Sequence, residues 1–419
     1  MPARPRLRPL PLLPLLPLLA SCELTEVTVA PGTRVVVVQS VISRTDSLQF
    51  VIVEYSQAGQ TIGGFSYPRI PPGSPKAPIS SARVTIEHTV GACAGRVDTL
   101  LEQPPMDAEA QETGTYAGPV CRPEPGEQLL LRVETPVGEV VTGATVVPGA
   151  SARDVSTGDC PMLAGGTCTL NRERDTLGIG VTPISGKAMQ VELRGDANRE
   201  DLAIYAYTDT LGIRFPGNLV NPFEGDDGES VFRAGRYYAL AVALTDDHYY
   251  DFLRSRSDPF TGRGFINHLT GGIGVFGSVE TERYRLRVVA PLDDPLEGVY
   301  RLTGLMDSVP VDVTFELYLD EIQPEQVSAF VRGAWWDGPV DVSGDGWFDP
   351  TGEFLFYFDT HQRLGYGPQF LLQGMLRPGG EPFPLNVRWF DADSRVALED
   401  TLTAQRISGP GLATASPRR

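Results

Sequence analysis

The stretch Val313-Thr-Phe-Glu-Leu-Tyr-Leu319 alternates apolar and polar side chains with a period of two residues. Successive side chains of a β-strand point to opposite faces of a sheet, so this pattern predicts a strand with one buried face. Similar short runs recur along the chain, and they are separated by turns rich in glycine (45 residues) and proline (36 residues). Short alternating runs joined by such turns indicate an all-β protein.

The quoted strand belongs to a predicted C-terminal unit, residues 297–408. Consecutive short strands with tight turns predict an antiparallel meander here, either open or closed into a small barrel. Residues 409–419 are expected to form a disordered tail. The eight candidate strands are Gly298–Leu302, Val311–Leu319, Val327–Trp335, Gly346–Phe348, Glu353–Phe358, Phe370–Leu376, Leu385–Phe390 and Thr401–Ile407.

Two further β-rich units are predicted upstream. Residues 34–149 carry six or seven short strand patterns, which is typical of an immunoglobulin-like or prealbumin-like sandwich. Residues 150–291 carry further strand patterns and a glycine-rich loop at Thr270–Ser278. A short helix is predicted at Asp246–Arg254, with Thr245 as its N-cap and acidic residues in its first turn.

Residues 1–21 have the features of a secretory signal peptide. Three arginines precede an apolar run, Leu10–Leu19, which is too short to span a membrane. The sequence Leu18-Leu-Ala-Ser-Cys22 resembles the bacterial lipoprotein signal, in which the cysteine receives acyl chains such as palmitate and becomes the mature N-terminus. Each buried methylene contributes about 0.8 kcal/mol, so several chains anchor a protein firmly. We therefore expect Cys22 to carry lipid and residues 22–33 to form a tether; the alternative is a plain secretory signal.

Four cysteines remain once Cys22 is assigned to lipid, and four cysteines allow three pairings. Neighbours in the sequence are the expected partners, which gives Cys93–Cys121 and Cys160–Cys168. Two disulfides fit an oxidising compartment outside the cytoplasm. A zinc site formed by these cysteines is disfavoured because the chain has no Cys-x-x-Cys pair.

Composition and motifs exclude several classes of function. The formal net charge of −18 disfavours binding to the phosphate backbone of a nucleic acid. Gly272–Gly277 matches the dinucleotide pattern G-x-G-x-x-G, but a strand pattern follows it instead of a helix, so no cofactor is expected. The chain has no His-Glu-x-x-His and no Gly-x-Ser-x-Gly motif, and its four histidines are scattered along the sequence. We therefore predict no catalytic residues and a protein that is not an enzyme.

Two binding sites remain as candidates. Asp341, Ser343, Asp345 and Asp349 resemble the first half of a calcium loop, although position twelve is Gly352 and the strand patterns favour a hairpin tip. Trp335 and Trp336 are candidate ligand contacts. Adjacent residues of a strand face opposite sides, so one of the two indoles is expected to face away from the core and to be free to stack on a ligand.

The first two units resemble the DUF4249-type lipoproteins of Bacteroidetes and related bacteria. The resemblance covers about residues 22–290, whereas the third unit is only faintly similar to lipocalin-like meanders. It implies an outer-membrane lipoprotein, often found beside TonB-dependent transporters and without an established activity. The residues that carry it are Cys22, Val35–Val38, Ser81–Ile86, Gly114–Tyr116, Pro125–Leu130, Asp246–Asp251, Asp258–Phe260 and Gly271–Gly277.

Together these features predict a non-catalytic protein that is anchored by lipid in the bacterial outer membrane, on its periplasmic or its surface face. Its expected role is the capture of a substrate such as a sugar or a peptide, or service as an accessory to an outer-membrane transporter. The alternative is a structural or adhesive envelope protein that binds another protein, with an unrecognised hydrolase as the third hypothesis. These hypotheses predict different partners, so binding experiments distinguish them.

Overall fold

The structure is a computed structural model that describes residues 34–56, 77–104, 113–158, 160–195, 202–220, 230–255, 266–320, 325–335, 338–349, 351–359, 369–377, 379–390 and 396–410. Within these residues the chain forms strands and a single helix, so the predicted all-β class is confirmed. Cys22, Trp336 and the predicted signal peptide and tether lie outside the described residues.

The strands upstream of residue 291 form two sheets. The larger sheet has twelve strands in the order β13-β12-β15-β16-β1-β2-β5-β4-β3-β6-β7, and β10 pairs with β16 beside this path; the smaller sheet has the order β14-β11-β8-β9. The strands are β1 (Val36–Ser43), β2 (Leu48–Tyr55), β3 (Arg83–His88), β4 (Val97–Glu102), β5 (Thr115–Pro119), β6 (Gln128–Glu134), β7 (Val140–Val146), β8 (Gly149–Thr157), β9 (Cys160–Pro161), β10 (Thr167–Asn171), β11 (Thr176–Ser185), β12 (Ala188–Gly195), β13 (Leu202–Thr208), β14 (Gly212–Pro216), β15 (Arg236–Thr245) and β16 (Ile273–Val289).

The large sheet crosses the boundary that the sequence predicts near residue 149. Strand β1 pairs in parallel with β16, from Val37 opposite Ile273 to Ser43 opposite Val279. The sheet then curves through β2 to β7, and a bridge from Thr142 to Thr270 returns it to the segment that leads into β16. The first seven strands and the start of β16 therefore enclose one apolar core, and a second core lies between the remaining strands of both sheets.

The glycine-rich segment is the beginning of β16, whereas the sequence predicted a loop. The backbone of Gly274 has φ = +131°, and a Cβ at this position would lie 1.9 Å from the carbonyl oxygen of Val38 in β1. Only glycine tolerates both the conformation and this close approach. The glycines therefore allow the parallel strand pair to form.

The predicted helix is present as α1 (Asp247–Ser255). Its N-cap is Asp246 and not Thr245, because the Asp246 carboxylate accepts the backbone N–H of Tyr249 at 2.9 Å, while Thr245 is still the last residue of β15. The helix packs its apolar face on β1 and β16. This contact is close: a Cβ at Gly277 would lie 2.6 Å from the Cβ of Tyr249.

The C-terminal unit is a closed barrel of eight antiparallel strands, as one of the two predicted alternatives states. Strand β17 pairs with β18 on one side and with β24 on the other, which closes the ring. Every candidate strand of the sequence analysis overlaps one of its strands, but β20 begins eight residues before the predicted Gly346 and β24 five residues before the predicted Thr401. The barrel strands are β17 (Gly298–Met306), β18 (Val309–Leu319), β19 (Gln326–Trp335), β20 (Gly338–Phe348), β21 (Phe354–Asp359), β22 (Gln369–Gly374), β23 (Phe383–Phe390) and β24 (Val396–Ser408).

The barrel interior is occupied by the apolar side chains of alternate strand residues. The Tyr300 and Phe315 rings stack at a centroid distance of 5.0 Å, and Phe315 continues the stack to Phe354 at 6.2 Å. An eight-stranded barrel is just wide enough for side chains to fill it, and this interior is lined by aromatic and branched residues.

The barrel contacts the large sheet through β15, β19 and β20. The Tyr237 ring packs on Phe330 of the barrel at a centroid distance of 4.7 Å, and the Arg285 guanidinium lies 3.7 Å above the Tyr237 ring. The Tyr237 hydroxyl also donates a hydrogen bond to Asp341 at 2.6 Å. Aromatic packing, a cation–π contact and a charge-assisted hydrogen bond thus join the two parts.

Replacing Gly277 with alanine tests the close approach of α1 to β16. Because the added methyl would overlap Tyr249, we expect G277A to lower the free energy of unfolding by about 1–3 kcal/mol, measured by urea denaturation. The control is G379A, since a Cβ at Gly379 meets nothing within 4 Å. Equal stability of the two variants would contradict the packing argument.

Candidate binding groove

An open groove of about 590 Å³ lies on the outer face of strands β4, β3, β6 and β7. Its floor consists mainly of side chains that point away from the core, although the buried Leu131 also borders it, and one wall is the segment that leads into β16. The lining residues are Arg83, Thr85, Glu87, Val97, Leu130, Leu131, Arg132, Glu134, Thr142, Gly143, Ala144, His268 and Thr270.

The strand register arranges the floor in rows across the sheet. One row runs across the four strands in the order Thr99, Thr85, Arg132 and Thr142. The bridge from Thr142 to Thr270 extends this row. Residues that are opposite each other on neighbouring strands have side chains about 5 Å apart on the same face. This row is therefore a line of threonines with one arginine among them, and Thr85, Thr142 and Thr270 line the groove, although Thr85 is largely buried.

A second row places charged groups beside this line. Arg83 is opposite Glu134, and their side chains are 3.8 Å apart. The Arg132 Nε donates to the Glu134 carboxylate at 2.7 Å. Both arginine side chains remain exposed, at 72% for Arg83 and 53% for Arg132, so their remaining N–H groups face solvent. The groove can therefore donate hydrogen bonds from guanidinium groups and accept them at carboxylates.

The wall of the groove includes one histidine, His268, which is supported by a second one. His268 stacks on His248 of α1 at a centroid distance of 4.1 Å, with the ring planes 9° apart. The Nε2 of His268 lies 2.9 Å from the Asp251 carboxylate, which also accepts the Arg254 guanidinium. Burial alone raises the pKa of Asp251, but the hydrogen bonds from Arg254 and His268 outweigh this effect and lower it. Asp251 is therefore an anion, and its carboxylate orients the His268 ring.

A buried carboxylate lies behind the floor, where β7, α1 and β16 meet. Asp246 accepts hydrogen bonds from the Thr145 hydroxyl at 2.5 Å and from the Ser278 N–H at 3.1 Å, in addition to the helix-capping bond. Burial raises the pKa of Asp246, although the hydrogen bonds from Thr145, Tyr249 and Ser278 oppose this shift. The network ties the edge strand of the groove to the helix that carries His248.

Three of the candidate calcium residues, Asp341, Ser343 and Asp345, lie elsewhere, at the contact between the barrel and the large sheet. Asp341 accepts hydrogen bonds from Tyr237 and Arg332, and Asp345 accepts the Arg236 guanidinium at 2.8 Å. Ser343 is buried between them, and Asp349 caps the hairpin turn into β21. The carboxylates of Asp341 and Asp345 are thus both paired with arginines. Within the described ranges, no group of three or more His, Cys, Asp or Glu residues is arranged to hold a metal ion.

The prediction of a ligand contact is wrong for Trp335 and stays a prediction for Trp336. Trp335 points into the barrel, is 2% exposed and packs edge-on against Phe358 and Phe370, so it has no exposed face for a ligand. Strand alternation directs it inward, and its neighbour Trp336 lies outside the described residues. Among the described tryptophans the exposed one is Trp347, which is 43% exposed and stacks on Tyr357 at 5.4 Å.

The cysteines pair as predicted, Cys93 with Cys121 and Cys160 with Cys168. The groove and its histidine pair were missed by the sequence analysis. The floor could have been predicted from the alternate, outward-facing residues of two predicted strands, Arg83-x-Thr85-x-Glu87 and Leu130-x-Arg132-x-Glu134. The histidines look scattered because they are separated along the chain, although folding brings two of them together.

Comparisons with protein-family models and with curated proteins found no match. A solved structure of a protein of unknown function, from the DUF3598 family of Nostoc punctiforme, is 10% identical to this chain. The alignment covers 78% of this chain and 94% of that chain, with a TM-score of 0.16. So low a score carries no argument about fold or function, and the DUF4249 resemblance stays a prediction. No helix of the described residues is long and apolar enough to cross a membrane.

The raised pKa of Asp246 predicts a pH-dependent effect of Asp246→Asn. The unfolded chain protonates this carboxyl near 3.8 and the folded protein at higher pH, so the wild type loses stability as pH rises through that window. The stability of D246N relative to wild type should therefore increase as pH rises from about 4 and then level off. Urea midpoints from pH 4 to pH 8 measure this difference.

The matched control is Asp312→Asn. Asp312 is an exposed barrel carboxylate whose pKa is lowered by its hydrogen bond to Arg301. The stability that Asp312 contributes is lost only when the pH falls below the ordinary pKa of an aspartate. The difference in stability between D312N and wild type should therefore stay nearly level from pH 5 to pH 8. If the stability difference between D246N and wild type is also independent of pH, burial does not raise the pKa of Asp246.

Proposed function

We propose that the protein is a non-catalytic binding protein, anchored in the bacterial outer membrane by lipid on Cys22, and that it captures a polar ligand in the groove. The observation that carries the proposal is the groove itself. It combines exposed guanidinium groups, carboxylates and a line of hydroxyls on a rigid sheet face, next to an oriented histidine. The lipoprotein-like signal and the DUF4249 resemblance support the membrane location.

The chemistry of the floor favours an extended ligand that both donates and accepts hydrogen bonds, such as a sugar chain or a peptide. The arginine and glutamate charges in the groove are balanced, since its lining contains Arg83 and Arg132 as well as Glu87 and Glu134. Long-range attraction of an ion is therefore weak, and recognition depends on direct hydrogen bonds with these side chains. Capture close to the membrane would supply a substrate to a neighbouring outer-membrane transporter.

Arg132→Ala tests the groove. Loss of a hydrogen bond from a charged group costs about 1.5–3 kcal/mol, which corresponds to a weakening of ligand binding by roughly tenfold to a hundredfold. Detergent-solubilised full-length protein is first applied to glycan and peptide arrays, and the Kd of the best ligand is then measured by calorimetry. Binding to either array identifies the ligand class.

The matched control is Arg301→Ala on the barrel. Arg132 and Arg301 are both 53% exposed, and each forms an ion pair with a carboxylate on its own or the adjacent strand. R301A should bind like wild type. If R132A also binds like wild type, the groove is not the capture site. If no array ligand binds while one envelope protein is retained in a pull-down, the structural or adhesive alternative is favoured.

Cys22→Ser tests the anchor. Without a thiol no acyl chain can be attached, so we expect C22S to appear in the soluble fraction while the wild type remains in the outer-membrane fraction. Metabolic labelling with a palmitate analogue should mark the wild type alone. Continued membrane retention of C22S would contradict lipid anchoring and leave the groove argument unaffected.

A further inference from the structure

His88 is completely enclosed at the end of β3, between two buried carboxylates. Its Nδ1 lies 2.7 Å from Glu127 Oε1, and its Nε2 lies 3.1 Å from Asp98 Oδ2. The exposed fractions are 0% for His88, 2% for Glu127 and 6% for Asp98. Each ring nitrogen therefore has one carboxylate as its hydrogen-bond partner in the interior.

The hydrogen-bond partners of the two carboxylates indicate where the protons lie. Asp98 also accepts the backbone N–H of Cys121 at 2.7 Å and the Arg96 guanidinium at 2.5 Å, so it is an acceptor on every side. Burial raises the pKa of Asp98, but these hydrogen bonds outweigh it and the pKa is lowered. The second oxygen of Glu127 accepts the Glu124 N–H at 2.9 Å. A neutral imidazole has a single N–H and could satisfy one carboxylate only.

The charges of this buried cluster sum to zero if the His88 ring carries two protons. His88 and Arg96 are then two cations that face two anions, Asp98 from β4 and Glu127 from the turn before β6. Buried charges are tolerated when they are paired and hydrogen-bonded, and a buried charge without its partner is strongly unfavourable. The strand partner of His88 on β6 is the apolar Leu129, which adds no charge.

This charge cluster adjoins the Cys93–Cys121 disulfide. Cys93 belongs to the turn between His88 and Arg96, and Cys121 donates its N–H to Asp98. A Cβ at Gly91 of the same turn would lie 3.0 Å from Glu127 Oε2, so this turn is packed directly on the carboxylate. The cluster thus connects β3, β4, the disulfide and the turn into β6.

We propose that His88 is an imidazolium ion in the folded protein, and that the cluster of His88, Asp98, Glu127 and Arg96 is an acid-sensitive latch. When acid protonates the carboxylates, the buried imidazolium loses its anions and the end of the sheet next to the disulfide opens. Loss of a proton from the ring would leave two carboxylates facing a single N–H. The latch therefore holds best near neutral pH.

Nitrogen NMR on the full-length protein labelled with ¹⁵N-histidine tests the first part. At pH 7.5 both ring nitrogens of His88 should show one-bond coupling to a proton, and Glu127→Gln should leave a single protonated nitrogen. His88→Gln assigns the signals. If it does not fold, glutamine at His248, His268 and His361 leaves His88 as the remaining signal. An unprotonated ring nitrogen in the wild type would overturn the proposal.

Reduction of the disulfides tests the opening, with Cys160–Cys168 as the internal control because its cysteines pack in the second apolar core and not beside His88. A water-soluble phosphine is added at pH 7 and pH 4, and alkylated peptides are quantified by mass spectrometry. The rate for Cys93–Cys121 relative to the control should rise at least about tenfold at pH 4, equal to ~1.4 kcal/mol of opening free energy. An unchanged ratio would refute the latch.

Discussion

Strand β1 pairs in parallel with the first half of β16, and the upstream architecture depends on this pairing. It joins the beginning of the described chain to residues 273–279 and so makes one sheet of segments that the sequence assigns to two units. Parallel neighbours require a long connection between them, and here that connection contains most of both sheets. Gly274 makes the contact sterically feasible, and Gly277 allows α1 to cover it.

Buried polar groups reinforce the same long-range arrangement. Asp246 connects the end of β15 to β7 and β16 through short hydrogen bonds, and the Arg44 side chain pairs with Glu280 across the β1–β16 boundary. Such groups contribute little net stability in water, but they are costly to bury without partners. They therefore favour the one arrangement in which every partner is present, which includes the position of the helix beside the groove.

The groove shows how a local pattern and a distant contact combine. The alternation of Arg83, Thr85 and Glu87 places these side chains on the solvent face of a strand, and the sequence alone indicates this. Their neighbours on β6 follow from the register between strands that are far apart in the chain, and a shift by one residue would reverse the faces. His268 joins the groove only because the chain returns from α1 to β16. Composition therefore predicts a polar sheet face, but not a groove with paired charges.

The sequence by itself determined the all-β class, the eight strands of the barrel, the short helix and the pairing of neighbouring cysteines. These features depend mainly on contacts between residues close in the chain. Consecutive strands pair with each other from β17 to β24, so period-two alternation and turn residues suffice for the strands, whereas the closing pair of β17 with β24 is a long-range contact. Only the tertiary structure decided the β1–β16 pair, the inward orientation of Trp335, the stacked histidines and the buried His88 cluster. Their partners come from distant segments, and a single strand pattern contains no information on which distant segment will supply the opposite surface, or on which face will become the interior.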